Sequence, residues 1–123
     1  MSEIEKKAFM LLKSVIFHYH GLDDDEIQNL KDTADELDAH EALEWSLEFI
    51  SRDHMTSFER AREHLNKIVG DLPKSKRVNF IHLVWKANLE KGYITEMEAT
   101  AMLKFAHDWN VHQDLLTLVR GGN

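Results

Sequence analysis

The sequence predicts an all-α fold: a single domain of seven helices, with two apolar helices at its centre. It is built from a duplicated three-helix unit and a connecting helix. Three observations carry this expectation. One proline in 123 residues and few β-branched runs leave no strand signal. Helix start signals of one kind recur along the chain. Two long stretches of the chain also match each other at a nearly constant offset.

The first helix is expected over residues 3–20. Ile4, Ala8, Leu11, Leu12, Val15 and Tyr19 recur at helical spacing, and Phe9, Met10, Ile16 and Phe17 extend the apolar surface nearly all round. Gly21 supplies a stop. Helices over 24–37 and 39–51 follow, opened by Asp23…Glu26 and Asp38…Glu41 at capping-box spacing. Thr56…Glu59 opens a connector over 57–69, which Gly70 closes. Pro73 suits the first turn of a fifth helix over 73–91, apolar through Val78, Phe80, Ile81, Leu83, Val84, Trp85 and Ala87. Gly92 ends it, and Thr95…Glu98 opens a sixth over 96–109. Asn110…Gln113 repeats the cap with amides before a seventh over 111–120, ended by Gly121.

The internal match pairs Phe9, Leu12, Ile16 and Gly21 with Phe80, Leu83, Ala87 and Gly92, an offset of 71. Beyond the corner the offset is 72. There Glu26, Ala34, His40 and Leu43 recur identically, and Leu30, Leu37 and Ala39 meet Met102, Trp109 and Val111. The expected repeats are residues 3–51 and 73–120 within one domain, 1–123.

Composition removes several function classes. The chain has no cysteine, so disulfides, thiolate metal sites and a cysteine nucleophile are excluded. A net charge of −7 argues against a nucleic-acid partner. The first ten residues lack a signal-peptide layout, and no apolar run suits a bilayer span of about 20 residues. A soluble, cytoplasmic protein without membrane insertion is expected. There is no H-E-x-x-H, no acid-x-x-His pair, no serine elbow and no phosphate loop, so no catalytic constellation emerges and a non-enzyme is expected. Eight histidines stay unassigned: His18 and His20 point to different helix faces, and His40 and His112 correspond through the repeat. Trp45, Trp85 and Trp109 suit packing better than a binding cage.

Two acidic features are functional candidates. Asp23, Asp24, Asp25 and Glu26 place four carboxyls at the first corner, a ligand type that calcium or magnesium accepts. The simpler role for Glu26, and for Glu98, is the third residue of a capped helix. Residues 23–53 hold 12 acidic and 2 basic residues. Asp32, Glu41, Glu44 and Glu48 head a surface suited to a basic protein partner. Residues 55–80 are net +3 through Arg60, Arg62, Lys67, Lys74, Lys76 and Arg77, which offers pairing within the chain or with a second copy as a homodimer.

A glycine at a helix end, then an aliphatic residue, then Glu four residues after that aliphatic, occurs twice: Gly92, Ile94 and Glu98, and, one residue tighter, Gly21, Leu22 and Glu26. Over residues 5–120 the chain resembles the tellurite-resistance TerB-like family, and is similar to the N-terminal domains of DjlA-type co-chaperones. The resemblance implies a stress-response or signalling role without a catalytic reaction. It also implies divalent-metal binding through corner acids, including one just before the glycine. Here His20 and Lys91 hold those two positions.

Overall fold

The computed structural model describes residues 1–18, 23–90 and 92–121. Tyr19, His20, Gly21 and Leu22 at the first corner, and Lys91 at the second, lie outside the described residues. Among the described residues the chain forms seven helices and no strand. These are α1 (Glu3–His18), α2 (Asp24–Leu37), α3 (His40–Ser51), α4 (Ser57–Val69), α5 (Lys74–Glu90), α6 (Glu96–Asp108) and α7 (His112–Arg120). None is long and apolar enough to cross a membrane. The chain divides into two compact units, Met1–Leu65 and Asn66–Asn123, with the boundary inside α4.

In the first unit α1 packs mainly on α3 and also on α2. Ser2 and Glu5 open α1 with a reciprocal cap that the sequence reading passed over. The Glu5 N–H donates to Ser2 Oγ at 3.1 Å, and the Ser2 N–H to Glu5 Oε1 at 3.3 Å. Ten consecutive residues, Ala8–Phe17, are then buried. The expectation of a helix apolar on all sides holds here, with two polar intrusions, Lys13 and Ser14; the buried Lys13 ammonium donates to Thr33 Oγ1 and stands over the Phe17 ring. Ile4 departs from the expected apolar face and stays in solvent, because it lies in the first turn, ahead of the stretch that packs. By contrast α2 buries only Glu26, Leu30 and Ala34, one residue per turn along a single stripe.

In the second unit α5, α6 and α7 pack on one another. Trp109, 1% exposed, anchors this core. Its ring lies 5.4 Å from Phe105, and its indole N–H donates to Asn66 Oδ1 at 2.9 Å. Asn66 in turn donates to Asp108 Oδ2, and Arg77 donates to the carbonyls of Trp109 and Leu72. Trp45 and Trp85 are half-buried.

The corners show why some expected caps form and others do not. Asp23 and Thr95 are N-caps of α2 and α6, with both halves of each capping box present. Asp38 and Asn110 are not. They adopt left-handed backbone, φ 53° and 56°, and end the preceding helix. The N-caps of α3 and α7 are Ala39 and Val111, which have no side-chain cap bond. Between helices this close, the short polar residue is spent on reversing the chain, a conformation that Asp and Asn tolerate. The local geometry recurs at the 72-residue offset. Ala39 N–H donates to Ala34 O and Val111 N–H to Ala106 O, each at 2.8 Å. Of the expected stops, Gly92 has φ +96°, whereas a Cβ on Gly70 would meet the Asn66 carbonyl oxygen at 2.4 Å.

This assignment is testable at Asn110. Asn110→Gly should leave the urea midpoint unchanged or raise it, and Asn110→Val should cost about 1–2 kcal/mol, because a left-handed backbone penalises a branched Cβ. A clear loss in the glycine variant would return Asn110 to an N-capping role.

Candidate functional site

Three candidate regions follow from the described residues. The first is the corner before α2. Asp23 Oδ1 accepts the Glu26 N–H at 2.8 Å, and Glu26 Oε1 accepts the Asp23 N–H at 3.3 Å. Glu26 is 1% exposed. Its carboxylate is thus aimed at the backbone, while Asp24 and Asp25 face solvent. Thr95 and Glu98 repeat the device. Glu98 Oε1 accepts from both the Thr95 N–H at 3.0 Å and the Thr95 hydroxyl at 2.9 Å. Two of the four corner acids therefore have a structural task already. Among the described residues no three His, Cys, Asp or Glu side chains gather as a metal-ion group.

The second region is the acidic surface of α2 and α3. Asp32, Glu41, Glu44 and Glu48 are all exposed. Asp32 accepts from Gln28 Nε2 at 2.9 Å, and Glu48 pairs loosely with Arg52 at 3.7 Å. Glu41 and Glu44 have no ion-pair partner among the described residues. Asp35 Oδ1 holds His40 Nε2 at 2.7 Å across the corner. A cavity of about 340 Å³ beside it is lined by Glu3, Asp38, His40 and Glu41. Neither helix carries a basic residue in its last turn, and against the 12 acids of residues 23–53 stand only Lys31 in α2 and Arg52 after α3.

The basic segment is largely engaged. Arg60 donates to the carbonyls of Phe49 and Asp53 and lies over the Phe49 ring. Arg77 serves Leu72 and Trp109, Arg62 reaches Glu59 at 3.5 Å, and Lys74 reaches Asp114 at 3.7 Å.

The third region had no motif to announce it. His18, at the end of α1, and His54, in the α3–α4 loop, bring their rings to a centroid separation of 5.3 Å. They line a cavity of about 210 Å³ with Val15, Met55, Ser57 and Phe58. Burial, and next the neighbouring His54, lower the pKa of His18 below the ordinary histidine value. A spacing of 36 positions between two histidines leaves no local signal; only the packing of α1 beside the loop joins them.

Two outcomes test these placements. Glu98→Ala should lower the unfolding free energy by about 1–2 kcal/mol through the lost cap, whereas Asp24→Asn with Asp25→Asn should stay within about 0.5 kcal/mol. A calcium-dependent rise in Tm that the double variant abolishes would instead give the first corner a metal. A lowered folded-state pKa at His18 means the unfolded chain takes up that proton first. Stability should therefore be full above about pH 6.5, fall as pH drops below it, and level off under the lower folded value. In EDTA-containing buffer, His18→Gln should flatten this segment of the pH profile; an unchanged slope would remove His18 as its source.

Compared with known proteins, the chain matches no family model, no curated protein and no solved structure.

Proposed function

We propose that this chain is a non-catalytic, helical protein-interaction module that docks a basic partner through the exposed acids of α2 and α3. The observation that carries the reading is Glu41 and Glu44, two exposed carboxylates in successive turns of α3 with no cation of their own among the described residues. Charges left unpaired on one face are available to steer and orient a partner of opposite sign. Asp32 and Glu48 extend that face, and their only described contacts are a neutral amide and a long ion pair. The engagement of Arg60 and Arg77 with carbonyls of their own units favours a separate basic partner over pairing with a second copy.

A TerB-like ancestry, a cytoplasmic stress-response or signalling role, and descent from a duplicated three-helix unit belong to the same proposal. The recurring capping boxes and left-handed corners at the 72-residue offset support the duplication. The alternative, divalent-metal binding by Asp23, Asp24, Asp25 and Glu26, asks Glu26 to leave a buried cap, and no further observation favours it.

The test is Glu44→Lys with Glu48→Lys. Lysine and glutamate have similar helix propensity, so circular dichroism should be unchanged. Glu41 is best left intact, since it lies in the first turn of α3 where a carboxylate favours the helix dipole. Affinity capture of basic proteins at physiological salt should fall in the double variant. In the wild type it should also fall at about 1 M salt, where screening acts within about 3 Å. Capture undiminished by both changes would reduce the acidic face to a solvated surface.

A further inference from the structure

The cavity between His18 and His54 is lined by Val15, His18, His54, Met55, Ser57 and Phe58. It holds two imidazoles and a thioether, and no carboxylate lines it. We propose that His18, His54 and Met55 form a binding site for a single monovalent copper ion.

The spacing of the two rings suits one shared ion. Two imidazoles that share one ion, each through a nitrogen about 2 Å from the metal, place their ring centroids about 5 Å apart at a tetrahedral angle. The observed separation is 5.3 Å, with the ring planes tilted by 39°. The ring centroids therefore already stand at the separation found for two imidazoles on one ion.

Both histidines are also held in place before any ion binds. His54 sits in a loop that is tied at several points. The Met55 N–H donates to Asp53 Oδ1 at 3.1 Å, the Ser57 hydroxyl donates to the His54 carbonyl at 3.0 Å, and Arg60 Nη2 donates to the Asp53 carbonyl at 2.9 Å. His18 is held by α1, whose preceding residues Ala8–Phe17 are buried. Burial also favours the neutral ring, which is the form that ligates.

The donor set selects the metal. Imidazole alone suits zinc, copper, iron and nickel. Met55 narrows the choice. It is 93% exposed and lines the same cavity. Thioether sulfur is a soft donor that selects Cu(I) over the divalent ions. A structural zinc site needs four ligands, and among the described residues no third histidine or carboxylate gathers with His18 and His54 to build one. The acidic run of residues 23–53 ends at Asp53, next to His54, and its field raises the local cation concentration.

The experiment is an anaerobic titration of the full chain with Cu(I) in competition with a chromophoric Cu(I) chelator, run in parallel with Zn(II). One Cu(I) per chain is expected. His18→Gln and His54→Gln should each weaken binding at least tenfold. Met55→Leu should weaken Cu(I) binding by about tenfold and leave Zn(II) binding unchanged, because zinc is held by N, O and thiolate ligands. His54 and Met55 are exposed, so both variants should keep the wild-type circular dichroism even if His18→Gln does not fold. No saturable Cu(I) binding, or binding that His54→Gln leaves intact, would mean the two rings are a packing contact only. Zinc bound as tightly as Cu(I), with no response to Met55→Leu, would overturn the copper assignment.

Discussion

A glutamate carboxylate with almost no access to solvent opens α2, and another opens α6. Such burial is tolerable because each carboxylate accepts the backbone N–H of its own N-cap residue, and Glu98 also accepts the Thr95 hydroxyl. The consequence reaches along the whole helix. Fixing the third residue fixes the rotation of the first turn, and so decides which stripe turns inward. From Glu26 that stripe runs through Leu30 and Ala34; from Glu98 it runs through Met102, Phe105 and Ala106. A cap that slipped by one residue would turn those side chains through about 100° and face charge into the core.

The same local rule shows how far the sequence could be read. Helix boundaries follow from signals within four residues of one another, and all seven helices fall within two residues of where those signals put them. Asp38…Glu41 and Asn110…Gln113 carry the same spacing as the true caps, yet their first residues are left-handed. The difference lies in what precedes them. Asp23 and Thr95 follow a corner, whereas Asp38 and Asn110 come directly at the end of a helix and must reverse the chain. There, backbone demand outweighs side-chain capping, and Ala39 and Val111 begin the next helix with no side-chain cap bond. Spacing alone could not separate the two cases; the missing corner between the helices could have.

Longer-range chemistry was less legible. The acidic run of α2 and α3 was visible because charge is counted residue by residue. Which basic residues would answer it was not. Arg60 and Arg77 look like surface cations in the sequence, and both turn out to hold carbonyls, Arg60 those of Phe49 and Asp53, Arg77 those of Leu72 and Trp109. Guanidinium, with several donors in a planar fork, suits that task better than a lysine would. The meeting of His18 with His54 also depends on packing, in this case of the end of α1 beside the α3–α4 loop.

One pair of positions separates the frame from what it carries. Across the α2–α3 corner, Asp35 Oδ1 lies 2.7 Å from His40 Nε2. The corresponding residues across the α6–α7 corner are His107 and His112, with ring centroids 5.6 Å apart. The backbone at the two corners is nearly the same, with left-handed angles of 53° and 56° and matching 2.8 Å hydrogen bonds. Only the side chains differ, and with them the local charge. Exposed positions on such a corner are free to change because the turn is set by buried groups and by the backbone: Ala34 and Ala39 in one, Ala106 and Val111 in the other. The two proposed sites, Glu41 and Glu44 of α3 and the His18–His54 cavity, both belong to the first unit.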